Sequence, residues 1–525
     1  MERALSRTAG YASRENPAIA AARRVELRCR PVPVPGATRP IPSFARKMPI
    51  HESRKPQGGR AALVIAIILV AGAAALAGAA YHFRSRLESE PPRIALSPDT
   101  DMLGPVPFQV EVTDGGAGLR SVTARLTQGG AEQVIASEHY AKPVPGKKFA
   151  VALTRDSPIK EGPAVLHVTA RDASLWHWLA GNETVLEKNL TIDLTPPTLE
   201  LVGDDRYVSF GGVGAIAYKS SPDTVTTGVK IGLDFFPGFK GVVKGHPDVY
   251  FALFAHPYNV PPNVRAVLVA ADRAHNVAEM PLSYELKNVK YKESTIAVSD
   301  AFFQNKVLPL LHDASRRDGS VKEVFVAVDQ GVRKENEDKI AEVTKKTTPS
   351  ILWKDAFVQL SNSKVEANFA DKRTYTYKGE PIDTAYHLGY DLSVTKHYPI
   401  EASNSGVVAF TGDLGLYGNA IIIDHGLGLF TLYGHCSQID VKPGDRIEKR
   451  QIIGKTGETG FAGGDHLHFG VYLDGVPVLP VEWWDQHWID GHITPMLEGR
   501  SGEPIAREQP AAHKAQQKAA HKRRS

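Results

Sequence analysis

The residues best suited to chemistry lie in three short stretches of the last third of the chain. His387-Leu388-Gly389-Tyr390-Asp391 sets an imidazole and a carboxylate four residues apart, around a glycine that permits a tight turn. Tyr433-Gly434-His435-Cys436-Ser437 adds one histidine, and Asp465-His466-Leu467-His468-Phe469-Gly470 adds two. The run HLHFGVYL, from His466, has the composition of a strand, so His466 and His468 project from one face. Leu467, Phe469 and Val471 then point into the opposite, packed side. Imidazole nitrogen and carboxylate oxygen are both zinc donors, and a catalytic zinc takes three protein ligands while keeping one position open. His387, Asp391 and one histidine of the pair supply that number. The two histidines left over are free to move protons or to stabilise an oxyanion.

Other candidates carry less. His425 ends an apolar strand and reads as a structural hydrogen-bonding group, and His397 and His492 lack ligand spacing. Trp483, Trp484 and Trp488 read as packing of the C-terminal segment rather than as a glycan groove. Gly454, Gly457, Gly460, Gly463 and Gly464 allow sharp turns and close backbone approach before the HLH strand.

Together the pieces resemble the lysostaphin-type, or LytM, zinc metallopeptidases, which pair an HxxxD motif with a later HxH and place another histidine between them. The resemblance runs from about Tyr386 to Pro480 and takes in Gly418-Asn419-Ala420, the IIIDHG strand, LYGH and VKPGDRIEKRQIIGKTGETG. It implies one Zn2+ held by His387, Asp391 and His468. It further implies His466 as general base toward a water, with His435 orienting that water or stabilising the tetrahedral intermediate. The implied fold is an antiparallel β-sheet metallopeptidase domain over 380–498 with a groove for an extended peptide. The implied substrate is the stem or cross-link peptide of bacterial peptidoglycan. Cys436 and Gly470 depart from the family pattern, where a larger apolar and an acidic residue are common, but neither is a ligand. Degenerate members that activate other wall hydrolases form the alternative. Those typically lose zinc ligands, and this chain keeps them.

Such a domain has to be delivered to a wall, and the N-terminal third of the chain shows how. From Ala61 to Tyr81 run 21 residues without a charge, which at about 1.5 Å per residue matches a bilayer core of roughly 30 Å. Arg46, Lys47, Arg54, Lys55 and Arg60 precede the run, whereas only Arg84 and Arg86 follow before acidic residues begin at Glu88. The positive-inside rule therefore predicts a single-pass helix over 61–83 in a bacterial inner membrane, N-terminus cytoplasmic and everything later outside. The run exceeds the apolar core of a cleaved signal peptide.

Charge is unevenly spread. Residues 1–60 carry 13 basic and 4 acidic side chains and 499–525 carry 7 and 2, which leaves the body between them at −10 within a total of +4. Both tails are expected to lack structure, and an acidic body excludes a folded nucleic-acid binder. Cys29 and Cys436 fall on opposite sides of the apolar run, which excludes a disulfide between them.

Between membrane and catalytic region, short alternating runs such as FQVEVTD and VLHVTARD read as strands with one buried face. Pro91-Pro92-Arg93-Ile94 recurs as Pro196-Pro197-Thr198-Leu199, and VTARDASLW as VAADRAHNV, a period near one β-sandwich. Two immunoglobulin-like β-modules are expected, over 90–195 and 196–290, as spacers. A helical connector is expected over 299–370, either packing on the catalytic domain or shielding its cleft. The predicted fold is thus multidomain and mainly β, with peptidoglycan and the membrane as partners. The sequence names no hydrolase or division partner.

Overall fold

The structure, a computed structural model, describes residues 59–499 apart from 154–156, 313, 314 and 316. The basic segments expected over 1–60 and 499–525 lie outside the described residues, save Gly59, Arg60 and Gly499.

The apolar run is helical over Gly59–His82, as Ala, Leu and Ile without proline favour. Leu63–His82 is long and apolar enough to cross a membrane. Residues from Ala80 onward form a separate compact unit, mainly of β-sheet.

The first module of that unit is a two-sheet sandwich. Arg93–Ser97, Phe108–Thr113 and Gly146–Val151 form one sheet, and Leu119–Gln128, Ala131–Val144, Gly162–Asp172 and Glu183–Ile192 with Met102–Leu103 form the other. The alternation read from sequence supplies the core: Val110, Val112, Val122, Leu126, Leu166 and Val168 are fully buried. The second module is again two sheets, of four strands each, between Leu199 and Pro281. Its core is continuous with the one under the catalytic sheet, so it does not stand free of the catalytic region.

Helix begins at Asp300, after Ser299, whose hydroxyl caps the Phe302 amide at 3.1 Å. A capping box of Ser320 and Glu323 starts Val321–Val326, which continues through a π-type turn into Arg333–Thr344. Here the expected connector is corrected. Helix stops at Thr344, 345–363 carries no strand or helix, and Lys364–Ala367 is already a strand of the catalytic sheet. Asp371–Tyr377 and Glu380–His387 then form a hairpin, laid parallel on Glu293–Ala297.

The catalytic sheet runs Lys364–Ala367, Tyr390–Ser393, Leu467–Leu473, Leu429–Gly434, Asn419–Gly426, Gly406–Asp413 and Arg446–Ile447, each antiparallel to its neighbour. Both faces are covered, the helical segment packing on the sheet as one of the two expected arrangements had it. Leu467, Phe469, Val471 and Leu473 face the core shared with the second module, whereas Tyr472 packs with Ile340 of the Arg333–Thr344 helix. That helix therefore lies on the same sheet face as His468.

The C-terminal segment ties the second module to this sheet. Trp483 is fully buried against Trp353, Phe357 and Trp488, and Trp484 stacks on Phe469 at 5.5 Å. Glu482 accepts from the Val213 amide at 2.9 Å. Burial pushes the Glu482 carboxyl up from 4.5 to about 7, with the Ser209 and Val213 hydrogen bonds opposing. The folded protein thus keeps a proton that the unfolded chain has released, and stability falls as pH rises through that window. The full loss is on the order of 3 kcal/mol. Glu482→Gln should therefore raise the melting temperature near pH 8 and leave it almost unchanged near pH 5. Equal effects at both would contradict this ionisation.

Candidate metal centre

Strand register brings the three motifs together. Asp391 lies directly opposite His468 in one antiparallel pair, and Gly434, next to His435, lies opposite His468 in the next. Side chains at directly opposed positions sit on one face within contact distance. His387 ends its hairpin strand opposite Asp371, and the turn through Gly389 folds it over the same point. A Cβ at Gly389 would stand 2.6 Å from both His468 Nε2 and the Phe469 carbonyl, so only glycine fits. His435 is held with φ of 63°, a conformation L-residues avoid, and its amide donates to the Tyr417 carbonyl at 2.7 Å.

Three donor atoms converge. His387 Nε2 is 2.9 Å from Asp391 Oδ1 and 3.0 Å from His468 Nδ1, and His468 Nδ1 is 3.2 Å from the same oxygen. His387 Nδ1–H donates to the Asn368 carbonyl at 2.9 Å, which leaves a lone pair on Nε2. A lone pair, a carboxylate oxygen and a second imidazole nitrogen pointed at one spot call for a cation. Tetrahedral zinc with bonds of about 2.0–2.1 Å sets its donors roughly 3.3–3.4 Å apart, close to the spacing found. The donor set of two imidazoles and one carboxylate fits such an ion. His468 Nε2, on the far side of the ring, is buried without a hydrogen-bond partner among the described residues.

The other two histidines stand beside this trio. His435 and His466 have ring centroids 4.8 Å apart. Each spends its Nδ1–H on a backbone carbonyl, His435 on Thr459 and His466 on Gly464, both at 2.8 Å. Their Nε2 atoms are left for chemistry, and His466 Nε2 is 3.4 Å from Asp391 Oδ1. Burial, with His466 and His468 nearby, holds the His435 imidazolium well below its ordinary value, so this ring stays neutral. Burial also lowers His466, but Asp391 outweighs it and the net shift is upward. The Asp391 carboxyl, which burial alone would raise, is held well below the usual range by His387 and its neighbours.

All five expected residues are therefore brought together, and the sequence reading missed what braces them. Arg373 Nη2 donates to Asp391 Oδ2 at 3.0 Å, which leaves Oδ1 to face the histidines. Arg333, ion-paired to the buried Asp329, reaches the same cavity from the helical segment. Neither belongs to a motif. The only available signal was strand alternation, which puts Arg373 and Tyr375 on one face. The cavity over the donors holds about 130 Å³, and Arg333, Arg373, Tyr375, Tyr417 and Phe461 contribute to its walls. It is smaller than the roughly 300 Å³ at the low end of ligand pockets, and Arg333 of the helical segment and Arg373 and Tyr375 of the hairpin stand among its walls. His425 is structural, bonded at 2.7 Å to both the Ser405 carbonyl and Thr431 Oγ1.

Comparison with known proteins places this region. Residues 385–480 match the model of peptidase family M23. This stretch is an M23 peptidase domain. Over 109 residues the chain is 38% identical to the DD-carboxypeptidase/endopeptidase Mpg of Neisseria meningitidis serogroup B, covering 20% of this chain and 25% of that protein. Over 118 residues it is 34% identical to the peptidoglycan DD-endopeptidase ShyA of Vibrio cholerae serotype O1, covering 22% and 27%. The chain thus spans about a quarter of the length of these relatives. A solved putative peptidase M23 from Pseudomonas aeruginosa is similar at 18% identity over 54% of this chain and 97% of that one, with a TM-score of 0.35. Asn368 and Arg373 both precede residue 385, so the M23 domain of this chain has its centre braced by polypeptide outside the matched region. Arg373→Met should lower the affinity for a divalent ion about 10-fold or more, as loss of a ligand-orienting partner does elsewhere. Calorimetric titration of the metal-free protein would read this, and unchanged affinity would remove Arg373 from the account.

Proposed function

We propose that the chain is a zinc-dependent peptidoglycan endopeptidase, tethered by one membrane helix and hydrolysing stem or cross-link peptides. The observation that carries this reading is the convergence of His387 Nε2, Asp391 Oδ1 and His468 Nδ1, with two further imidazoles beside them whose Nδ1 atoms are held by backbone carbonyls. Zinc held there supplies Lewis acidity, polarising a peptide carbonyl and acidifying a water. His466 takes a proton at Nε2 from the attacking water and returns it to the departing amine nitrogen. Neutral His435 accepts a hydrogen bond from that water at Nε2 and so orients it. Arg373 holds the Asp391 carboxylate in one rotamer throughout.

The name of the Vibrio cholerae relative, a peptidoglycan DD-endopeptidase, supports peptidoglycan as the substrate. The apolar helix and the charge asymmetry around it support an inner-membrane location, with the N-terminus cytoplasmic and the catalytic domain facing the wall. In this reading the sandwich over 90–195 is a spacer that sets the reach of the M23 domain, and the one expected over 196–290 as a second spacer instead shares the core of that domain and moves with it.

The test is muropeptide analysis of purified sacculi incubated with the full chain and zinc. Peptide fragments should be released. His466→Ala and His435→Ala should each slow release by about 10²–10⁴-fold while retaining zinc. A folded, zinc-loaded chain that releases nothing but stimulates a second hydrolase would make this protein an activator instead.

A further inference from the structure

The first sandwich carries an unusual turn at Trp176–Leu179. Trp178 is 100% exposed, with Leu179 at 64% and Trp176 at 48%. His177, Trp178 and Leu179 have φ of 49°, 57° and 72°, three successive non-glycine residues in the left-handed region. Such backbone is disfavoured, and a fully solvated indole is unfavourable in water. Both persist because the flanks are locked. The Asp172 carboxylate accepts from the Ser174 amide at 2.9 Å and the Asn182 amide at 2.7 Å. Inside the turn, the Ala180 and Gly181 amides donate to the His177 and Trp176 carbonyls at 3.1 Å. The indoles are thus held out by the fold rather than left loose.

Their address is specific. Trp176 Nε1 donates to the Leu87 carbonyl at 2.9 Å, and the Leu175 amide to the Arg86 carbonyl at 2.7 Å. The apolar helix ends at His82, and the five residues on to Leu87 reach at most about 18 Å. Chain length alone therefore keeps the turn near the end of that helix. Tyr81, Phe83 and Leu87 in this stretch are exposed, and the Arg84 guanidinium lies 4.6 Å over the Tyr81 ring. Arg120 donates to the Leu179 carbonyl at 2.8 Å, adding a cation at the base of the turn.

Tryptophan and tyrosine favour the layer where acyl chains meet headgroups, and arginine favours lipid phosphate. We propose that the Trp176–Leu179 turn is a membrane-interface anchor. It seats Trp176, Trp178 and Leu179 among the headgroups of the leaflet from which Phe83 emerges, with Arg84, Arg86 and Arg120 toward lipid phosphates. The inference rests on the reading of the apolar helix as a membrane span. It adds a second attachment, so that the first sandwich stands on the bilayer in a fixed pose instead of swinging on a linker. A sugar ring could also stack on Trp178, but the bonds to residues 86 and 87 favour the bilayer.

The experiment reconstitutes the full chain into vesicles of equal parts phosphatidylcholine and phosphatidylglycerol, the former brominated either high or low on its acyl chains. Shallow bromines should quench part of the tryptophan emission more strongly than deep ones. Trp176→Phe and Trp178→Phe should each remove a share of that component, and the pair should remove it. Quenching that is absent in the wild type, or unchanged in the double variant, overturns the proposal. Alkaline carbonate washing reads the span separately. Protein that resists the wash yet shows no quenching fails the turn alone, and protein stripped by the wash fails the membrane reading and the turn with it. Binding of the vesicle-free chain to sacculi that is lost in the double variant, without lipid quenching, reassigns the turn to a wall glycan.

Discussion

Everything in the catalytic half follows from forcing three electron-rich atoms to within about 3 Å of one another. His387 Nε2, Asp391 Oδ1 and His468 Nδ1 repel unless a cation or a proton sits between them, so the fold must hold them in place by other means. It does so with strand register, which sets Asp391 opposite His468. A glycine where no Cβ fits then closes His387 over the pair. Partners on the outer atoms complete the arrangement: the Asn368 carbonyl on His387 and the Arg373 guanidinium on Asp391. Each of those partners fixes which atom faces inward. The same device recurs at His435 and His466, where backbone carbonyls consume Nδ1 and free Nε2.

This need for bracing explains why the M23 domain is not isolated from the rest of the chain. The hairpin that carries Arg373 pairs with Glu293–Ala297, and the helix that carries Arg333 covers the sheet face bearing His468. On the opposite face, the second sandwich shares its core with the sheet and meets the C-terminal segment through Glu482. Groups that set the geometry of the metal site thus come from segments before residue 385, and those segments also narrow its cavity.

The site was legible in the sequence because its donors come in short motifs with fixed spacing, and spacing on a strand translates directly into direction. His466 and His468 illustrate this, as does the four-residue step from His387 to Asp391. The alternation of FQVEVTD and VLHVTARD likewise foretold the sandwich core, since period-two burial needs no long-range information. What stayed hidden depended on tertiary contacts. Arg373 is an ordinary strand arginine until the hairpin folds against Asp391. The helical connector ends early, at Thr344, and the last part of the expected span joins the sheet edge as Lys364–Ala367, a pairing made with a strand distant in sequence. The HLH strand is buried on both faces because a helix distant in sequence covers the side that alternation left open.

In the proposed enzyme one ion sits among two imidazoles and one carboxylate, with a vertex left for water. X-ray absorption at the zinc edge on the purified, zinc-loaded chain tests it most directly. One zinc per chain is expected, in a four-coordinate nitrogen and oxygen shell at about 2.0 Å, with outer-shell scattering from two imidazole rings. A shell containing sulfur, a six-coordinate oxygen shell, or an unchanged spectrum in His468→Ala would contradict it.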